Sequence, residues 1–310
     1  MKKLLALFLL TSTVLLGACG KGSEQVAEES QDLQVITTFY PMYEFTKEVV
    51  GDTGKVSLLI PAGTEPHDYE SSAKDMAKIM DADAFVYNSP ELETWVPTMT
   101  DSIDTDKTVV IEAAKEIDLA ENEDHGEAEH GTDAHTHELD PHVWTDPVMA
   151  IKEVETIRDQ LSEKFPTKAA TFKKNAAAYI EQLNALDQEY TAALKDAVNR
   201  TFVTQHAAFG YLAKQYDLVQ ESIAGLSPDQ EPTPSRLAEL KEYVEDHQVK
   251  VIYFEENASS KVAETLANET GVELAVLNPL ESLTEKQISD GESYLTVMKE
   301  NLQALQKSIK

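Results

Sequence analysis

Short apolar runs rich in β-branched residues alternate with helical patterns over most of this 310-residue chain. The runs predict strands over residues 34–40, 55–60, 84–87, 108–112, 201–204, 219–223, 249–254 and 272–277. The spacing of apolar residues predicts helices over 42–50, 72–81, 91–103, 209–216, 235–246, 259–270 and 291–309. Strands that alternate with helices indicate βαβ units, so we expect an α/β fold with parallel sheets.

One helical pattern is much longer than the others. From Ala169 to Leu194, apolar side chains recur every three or four residues, and neither glycine nor proline interrupts them. A helix of about 30 residues is a rod of ~45 Å, which is long enough to cross a domain. We therefore expect two βα lobes, residues 32–165 and 199–310, joined by one long rigid helix over 166–198. In such sheets a ligand binds beyond the carboxyl ends of the strands, here in the cleft between the lobes.

The N-terminus has the pattern of an export signal. Lys2 and Lys3 precede an apolar run over residues 4–16, which is shorter than the ~20 residues that a bilayer span needs. We predict a signal peptide over residues 1–18. Cys19 ends the tetrad Leu-Gly-Ala-Cys, which resembles the lipobox of bacterial lipoproteins, and a plain signal peptide with an incidental cysteine is the alternative. A lipidated Cys19 followed by a tether to residue 31 is therefore expected.

Charge and cysteine content exclude several classes of protein. The formal net charge is −30, whereas a nucleic-acid-binding surface needs an excess of basic residues. Cys19 is the only cysteine, so the chain has no internal disulfide and no thiolate metal site.

The segment 121–140 is rich in histidine and carboxylate and nearly free of apolar residues. Four of the eight histidines in the chain lie in it: His125, His130, His135 and His137. Imidazole and carboxylate bind borderline divalent metals, so we expect an auxiliary loop that collects metal ions. A solvated, charged loop without ligand function is the alternative.

Polar side chains that could bind metal follow four of the predicted strands. His67 and His142 follow strands of the first lobe, and His206 and Glu281 follow strands of the second. Three imidazoles and a carboxylate form a tetrahedral set that suits Zn²⁺. Glu65, Asp68, Glu255 and Glu256 lie near enough to orient an imidazole, but exposed acids are common in this chain.

Four blocks of sequence are similar to one family of transport proteins. They are 61–70 (PAGTEPHDYE), 140–147 (DPHVWTDP), 175–187 in the long helix, and 204–212 (TQHAAFGYL). Over nearly its whole length the chain resembles the metal-binding lipoproteins of ABC importers, the cluster A-I solute-binding proteins. The resemblance implies metal capture by His67, His142 and His206, and the histidine-rich loop is typical of the zinc branch. Glu281 stands where manganese members place an aspartate and zinc members a glutamate or a water.

The resemblance also implies partners and a location. We expect a monomer, anchored by its lipid to the extracellular face of the membrane, that delivers Zn²⁺ to an ABC permease and its ATPase. The second, C-terminal metal-binding domain of some streptococcal relatives is not expected, since the sequence stops at Lys310. A manganese-binding homologue and a secreted zinc hydrolase are the alternatives. We expect no enzyme, because His-Glu-x-x-His and Gly-x-Ser-x-Gly motifs are absent from the sequence.

Overall fold

Eight strands in two parallel sheets organise the part of the chain that the structure, a computed structural model, describes: residues 32–122 and 138–309. The first sheet contains β1 (Leu33–Thr37), β2 (Gly54–Leu58), β3 (Ala84–Tyr87) and β4 (Val109–Glu112). The second contains β5 (Thr201–Thr204), β6 (Val219–Ser222), β7 (Val251–Phe254) and β8 (Glu273–Val276). The strand orders, β2-β1-β3-β4 and β6-β5-β7-β8, follow the same pattern.

Helices connect and cover these strands. Around the first sheet they are α1 (Tyr40–Val50), α2 (Ala73–Asp81), α3 (Val96–Thr100) and α4 (Pro147–Lys164), followed by the long α5 (Ala169–Leu194). Around the second sheet they are α6 (Gly210–Gln215), α7 (Pro234–Asp246), α8 (Lys261–Thr270), α9 (Glu285–Asp290) and α10 (Tyr294–Ser308). Two short 3₁₀ turns, Gly51–Thr53 and Val143–Thr145, complete the described elements. None of the described helices combines the length and the apolar character that a membrane span requires.

The long helix α5 forms part of the core shared by the two lobes. Its 26 residues correspond to a rod of ~39 Å. One stripe of the helix is buried, with members three or four residues apart: Phe172, Ala176, Tyr179, Leu183, Leu186, Tyr190 and Leu194. The helix packs against α1, α4 and α10, and the Tyr190 hydroxyl donates a hydrogen bond to the Met298 carbonyl at 2.6 Å. The predicted fold class, two parallel-sheet lobes with a long helix between them, is confirmed.

Several predicted elements differ from the structure. The predictions do not include the 18-residue helix α4, although Asp146 caps its N-terminus and Pro147 opens it; both residues belong to the block 140–147 that carries His142. The helix predicted over 91–103 is wrong except for α3, because the side chain of Glu93 instead accepts hydrogen bonds from the backbone of Asn88 and Ser89 and closes a turn. The short helix α9 was also not predicted.

Element boundaries differ by a few residues. The strand predicted over 34–40 ends at Thr37, because α1 begins at Tyr40 with Pro41 in its first turn. The long helix covers Ala169–Leu194 and not the full 166–198. The predicted signal peptide, Cys19, the tether and the histidines at 125, 130, 135 and 137 lie outside the described residues. The lobe boundaries stay predictions.

Candidate metal centre

The structure brings four of the predicted side chains together at one point. One ligand atom from each of His67, His142, His206 and Glu281 lies within 4.8 Å of the others. Glu281 Oε1 lies 3.0 Å from His206 Nε2, 3.2 Å from His142 Nε2 and 3.4 Å from His67 Nε2. The Nε2 atoms of His67 and His142 are 3.2 Å apart. Three imidazole nitrogens and a carboxylate oxygen therefore converge on a volume of about the size of one metal ion.

Each side chain comes from a segment that follows a parallel strand. His67 lies between β2 and α2, and His142 follows β4 and the described part of the 113–142 connection. His206 follows β5 by two residues, and Glu281 follows β8 by five. The carboxyl ends of parallel strands share one edge of a sheet, so the two sheets present their loops to the same cleft.

The His67 loop is held at both of its ends. Before His67, the Gly63 amide donates a hydrogen bond to the Ser282 hydroxyl of the other lobe at 2.6 Å, and a φ of +75° at Gly63 favours glycine there. After His67, the Tyr69 hydroxyl donates to Asp75 Oδ2 at 2.9 Å. Asp75 also forms the capping box of α2 with Ser72, so the start of that helix fixes the loop.

The segment that carries His142 is bonded to the second lobe. Tyr211 donates its hydroxyl proton to the Asp140 carbonyl at 2.7 Å, and the indole of Trp144 donates to the Pro279 carbonyl at 2.7 Å. The Tyr294 hydroxyl donates to the Trp144 carbonyl at 2.7 Å. These three hydrogen bonds are buried, and they fix the segment of His142 relative to the second lobe, which supplies His206 and Glu281.

Two of the imidazoles have a carboxylate at their second nitrogen. His142 Nδ1 lies 2.7 Å from Asp140 Oδ1, which also accepts the backbone N–H of His142 at 2.9 Å. His206 Nδ1 contacts Glu255 Oε1. A carboxylate at Nδ1 keeps the proton there and leaves the Nε2 lone pair free for a metal.

Burial and charge shift the pKa values of all four groups. Burial and the neighbouring imidazoles lower the pKa of His67, and the opposing effect of Glu281 is smaller. Burial alone would lower the pKa of His142 and of His206 too, but Asp140 and Glu281 raise the first, and Glu255 and Glu281 raise the second well above its usual range. The same imidazoles hold the pKa of Glu281 well below its usual value, against the effect of burial. Glu281 is therefore ionised at neutral pH.

Other predicted residues have different surroundings. Glu65 accepts the backbone N–H of His67 at 3.1 Å, and burial together with the charge of Glu281 raises its pKa to about 9. Asp68 is exposed, and Glu256 accepts a hydrogen bond from Gln287 at 3.3 Å. Glu255, in contrast, is buried against His206.

Sequence reasoning missed Asp140 as the partner of His142. Its signal was present, since an acid two residues before a histidine can reach the ring of that histidine.

Trp144 packs its ring 5.2 Å from the His142 ring and is fully buried. A cavity of about 660 Å³ adjoins the centre on the His67 side and is lined by Asp68, Tyr69 and Trp95.

The family described as "ZnuA: Zinc-uptake complex component A periplasmic" matches residues 35–308. The "Zinc-binding lipoprotein AdcA" of Streptococcus pneumoniae (strain TIGR4) is 53% identical over 310 residues, which cover 99% of this chain and 61% of AdcA. The "High-affinity zinc uptake system protein ZnuA" of Bacillus subtilis is 50% identical over 313 residues, or 99% of this chain and 98% of that protein. The chain thus spans about three fifths of the length of AdcA and nearly all of the length of the B. subtilis protein.

Solved structures give the same result. The Zn(II)-bound ZnuA-like domain of S. pneumoniae AdcA superposes with a TM-score of 0.77 at 54% identity, covering 90% of this chain and 99% of that one. The laminin-binding protein Lmb of Streptococcus agalactiae, described as having adhesin and metal-transporting activity, has a TM-score of 0.81 at 37% identity, covering 90% of this chain and 100% of Lmb. The chain therefore belongs to the ZnuA family of zinc-uptake components.

Proposed function

We propose that this protein is the zinc-binding component of an ABC importer, which captures Zn²⁺ in the cleft and delivers it to a membrane permease. The observation that carries the proposal is the convergence of Glu281 Oε1 with three imidazole Nε2 atoms at 3.0–3.4 Å. Imidazole and carboxylate are the donors that zinc prefers when thiolates are absent. The AdcA and ZnuA relatives are named for zinc binding and zinc uptake, which supports the same cargo.

We assign His67, His142 and His206 as ligands through Nε2 and Glu281 through a carboxylate oxygen. Two ligands come from each sheet, so one ion would link both lobes. In this assignment the carboxylate takes the fourth position, where a catalytic zinc site keeps an exchangeable water. Binding and transport therefore fit the donor set better than hydrolysis does. A set with three imidazoles also favours zinc over manganese, which prefers oxygen donors.

Partners and location follow from the family. We propose that the protein hands its ion to a permease driven by an ATPase, and that it acts as a monomer on the extracellular face of the membrane. Cys19 would carry the lipid anchor, as the word "lipoprotein" in the name of AdcA supports. The histidines at 125, 130, 135 and 137 would collect zinc ions at low concentration and raise their supply to the cleft.

Metal titration of the purified, metal-free protein tests the proposal. Competition against a chromophoric chelator should give one tight Zn²⁺ per chain and much weaker binding of Mn²⁺. His206→Ala and Glu281→Ala should each lose most of this affinity, whereas His247→Ala, which changes an exposed histidine at the end of α7, should keep it. Tight stoichiometric zinc binding in the His206→Ala protein would show that the ligands are assigned wrongly.

A further inference from the structure

We infer that Glu255 is a positioning residue for zinc binding. It follows β7, the strand next to β5, and fixes the ring of His206. The inference rests on the proposed zinc site and adds a residue that binds no metal itself. Glu255 is 5% exposed and His206 is fully buried, so their contact is shielded from water. A charged hydrogen bond is stronger in such surroundings than at a surface.

Strand pairing explains why these two residues meet. In the second sheet β5 pairs with β7 in parallel, with Val203 opposite Ile252 and Thr204 opposite Tyr253. The same register, continued two residues beyond the pair Thr204–Tyr253, sets His206 opposite Glu255. The pairing that builds the sheet therefore also places a carboxylate beside the imidazole.

A second hydrogen bond runs in the opposite direction between the two strand ends. Gln205, the residue before His206, accepts the backbone N–H of Glu255 at 3.2 Å through Oε1. Its Nε2 donates to the Ser259 carbonyl at 3.1 Å, just before α8. The side chain of Gln205 thus fixes the backbone of Glu255. The side chain of Glu255 in turn fixes the ring of His206.

This contact determines which nitrogen of His206 is available to a metal. With the Nδ1 proton donated to Glu255, the neutral ring keeps its lone pair on Nε2, which lies 3.0 Å from Glu281 Oε1. His142 obtains the same arrangement from Asp140, two residues away. The residues two positions from His206, Thr204 and Ala208, are not acidic, and its carboxylate partner is Glu255, the first residue after β7.

Glu255→Gln tests the inference, and Glu256→Gln is its matched control, because the neighbouring residue is exposed and the charge change is the same. Glu255→Gln should weaken zinc binding by about 10- to 100-fold in chelator competition, the usual effect of losing the partner of a metal-bound histidine. Glu256→Gln should bind zinc as the wild type does. In zinc-loaded wild type, the Nδ1 proton of His206 should give a downfield resonance that exchanges slowly with water. His206→Asn should remove that resonance, and Glu255→Gln should shift or broaden it.

Each outcome separates the inference from the proposed function. If the wild type and Glu256→Gln bind no stoichiometric zinc, the proposed function fails. If both bind zinc and Glu255→Gln stays within threefold of them, the inference is overturned while the function stands. A lower melting temperature with unchanged affinity and resonance would assign Glu255 a structural role only and also overturns it. Should Glu255→Gln fail to fold, the wild-type resonance decides, and its absence refutes the inference.

Discussion

Acidification should weaken zinc binding by this protein. The steepness of the pH dependence should equal the number of ligand histidines that are protonated in the metal-free site. In the metal-free site the pKa values of His142 and His206 are raised by their carboxylate neighbours, while the pKa of His67 is lowered. The pKa of Glu281 is held well below its usual value, so this group stays ionised near neutral pH. Zinc that binds below about pH 6.5, the ordinary pKa of histidine, must therefore displace protons from these two imidazoles, and the other two ligands contribute none.

The size of the effect follows from that count. At pH values below its pKa, each imidazole that must lose a proton raises the Kd for zinc about tenfold for every unit by which the pH falls, which corresponds to about 1.4 kcal/mol. Two imidazoles raise it about 100-fold per unit, or about 2.7 kcal/mol. The sign is that of a raised pKa: the proton is bound more tightly in the metal-free site, so affinity falls as the pH falls. Because the pKa of His67 is lowered, this residue adds a third proton only under more acidic conditions.

Calorimetry in buffers of different ionisation enthalpy measures the proton count directly. We expect about two protons released per Zn²⁺ below about pH 6.5, and a slope of log Kd against pH of about −2. Glu255→Gln removes a charge that raises the pKa of His206, so the number of protons released near about pH 6.5 should fall toward one, whereas Glu256→Gln should not change it. A wild-type release of one proton or fewer between about pH 5.5 and 6.5 would refute the reasoning, since it would mean that His142 and His206 are not both protonated in the free site.

Three further predictions concern stability and uptake. Glu153→Gln in α4 should stabilise the fold more at pH 8 than at pH 5, as measured by urea unfolding. Burial raises the pKa of this carboxyl well above its usual value, so its ionisation destabilises the native state. An equal effect at both pH values would contradict this. Leu183→Ala in the buried stripe of α5 should cost about 2–5 kcal/mol of unfolding free energy, while Gln182→Ala on the exposed side should cost under 1 kcal/mol; similar losses in both variants would count against the stripe. Deleting residues 124–137 should leave one tight zinc site but reduce uptake at scarce zinc, and unchanged uptake would argue against a collecting role.

The sequence predicted most of what local patterns determine. The strands 84–87 and 201–204 were placed correctly, since all of their residues are buried and apolar or β-branched runs signal such strands. The four side chains that meet at the centre could be predicted because each follows a strand, and parallel strands end at the same edge of a sheet. The start of α4 carries helix signals at Asp146 and Pro147, which stand in the same block of sequence as His142.

The partners of the imidazoles were harder to predict, for a physical reason. Asp140 and His142 are two residues apart, so their contact could be read from the chain. Glu255 is 49 residues from His206, and nothing local distinguishes it from its exposed neighbour Glu256. Only the register of β5 against β7 separates the two acids, and register depends on packing across the whole sheet.

The position of the four convergent side chains after the strands has a consequence for how such proteins diversify. Each of the four donors lies beyond the end of a strand, so a change of donor at one of these positions alters the chemistry of the cleft and leaves the pairing of the strands in place. We therefore expect a substitution at one donor to change the metal preference of the cleft before it changes the order of the strands. The contact of Glu255 with His206 is the exception, because it ties one donor to the register of β5 against β7.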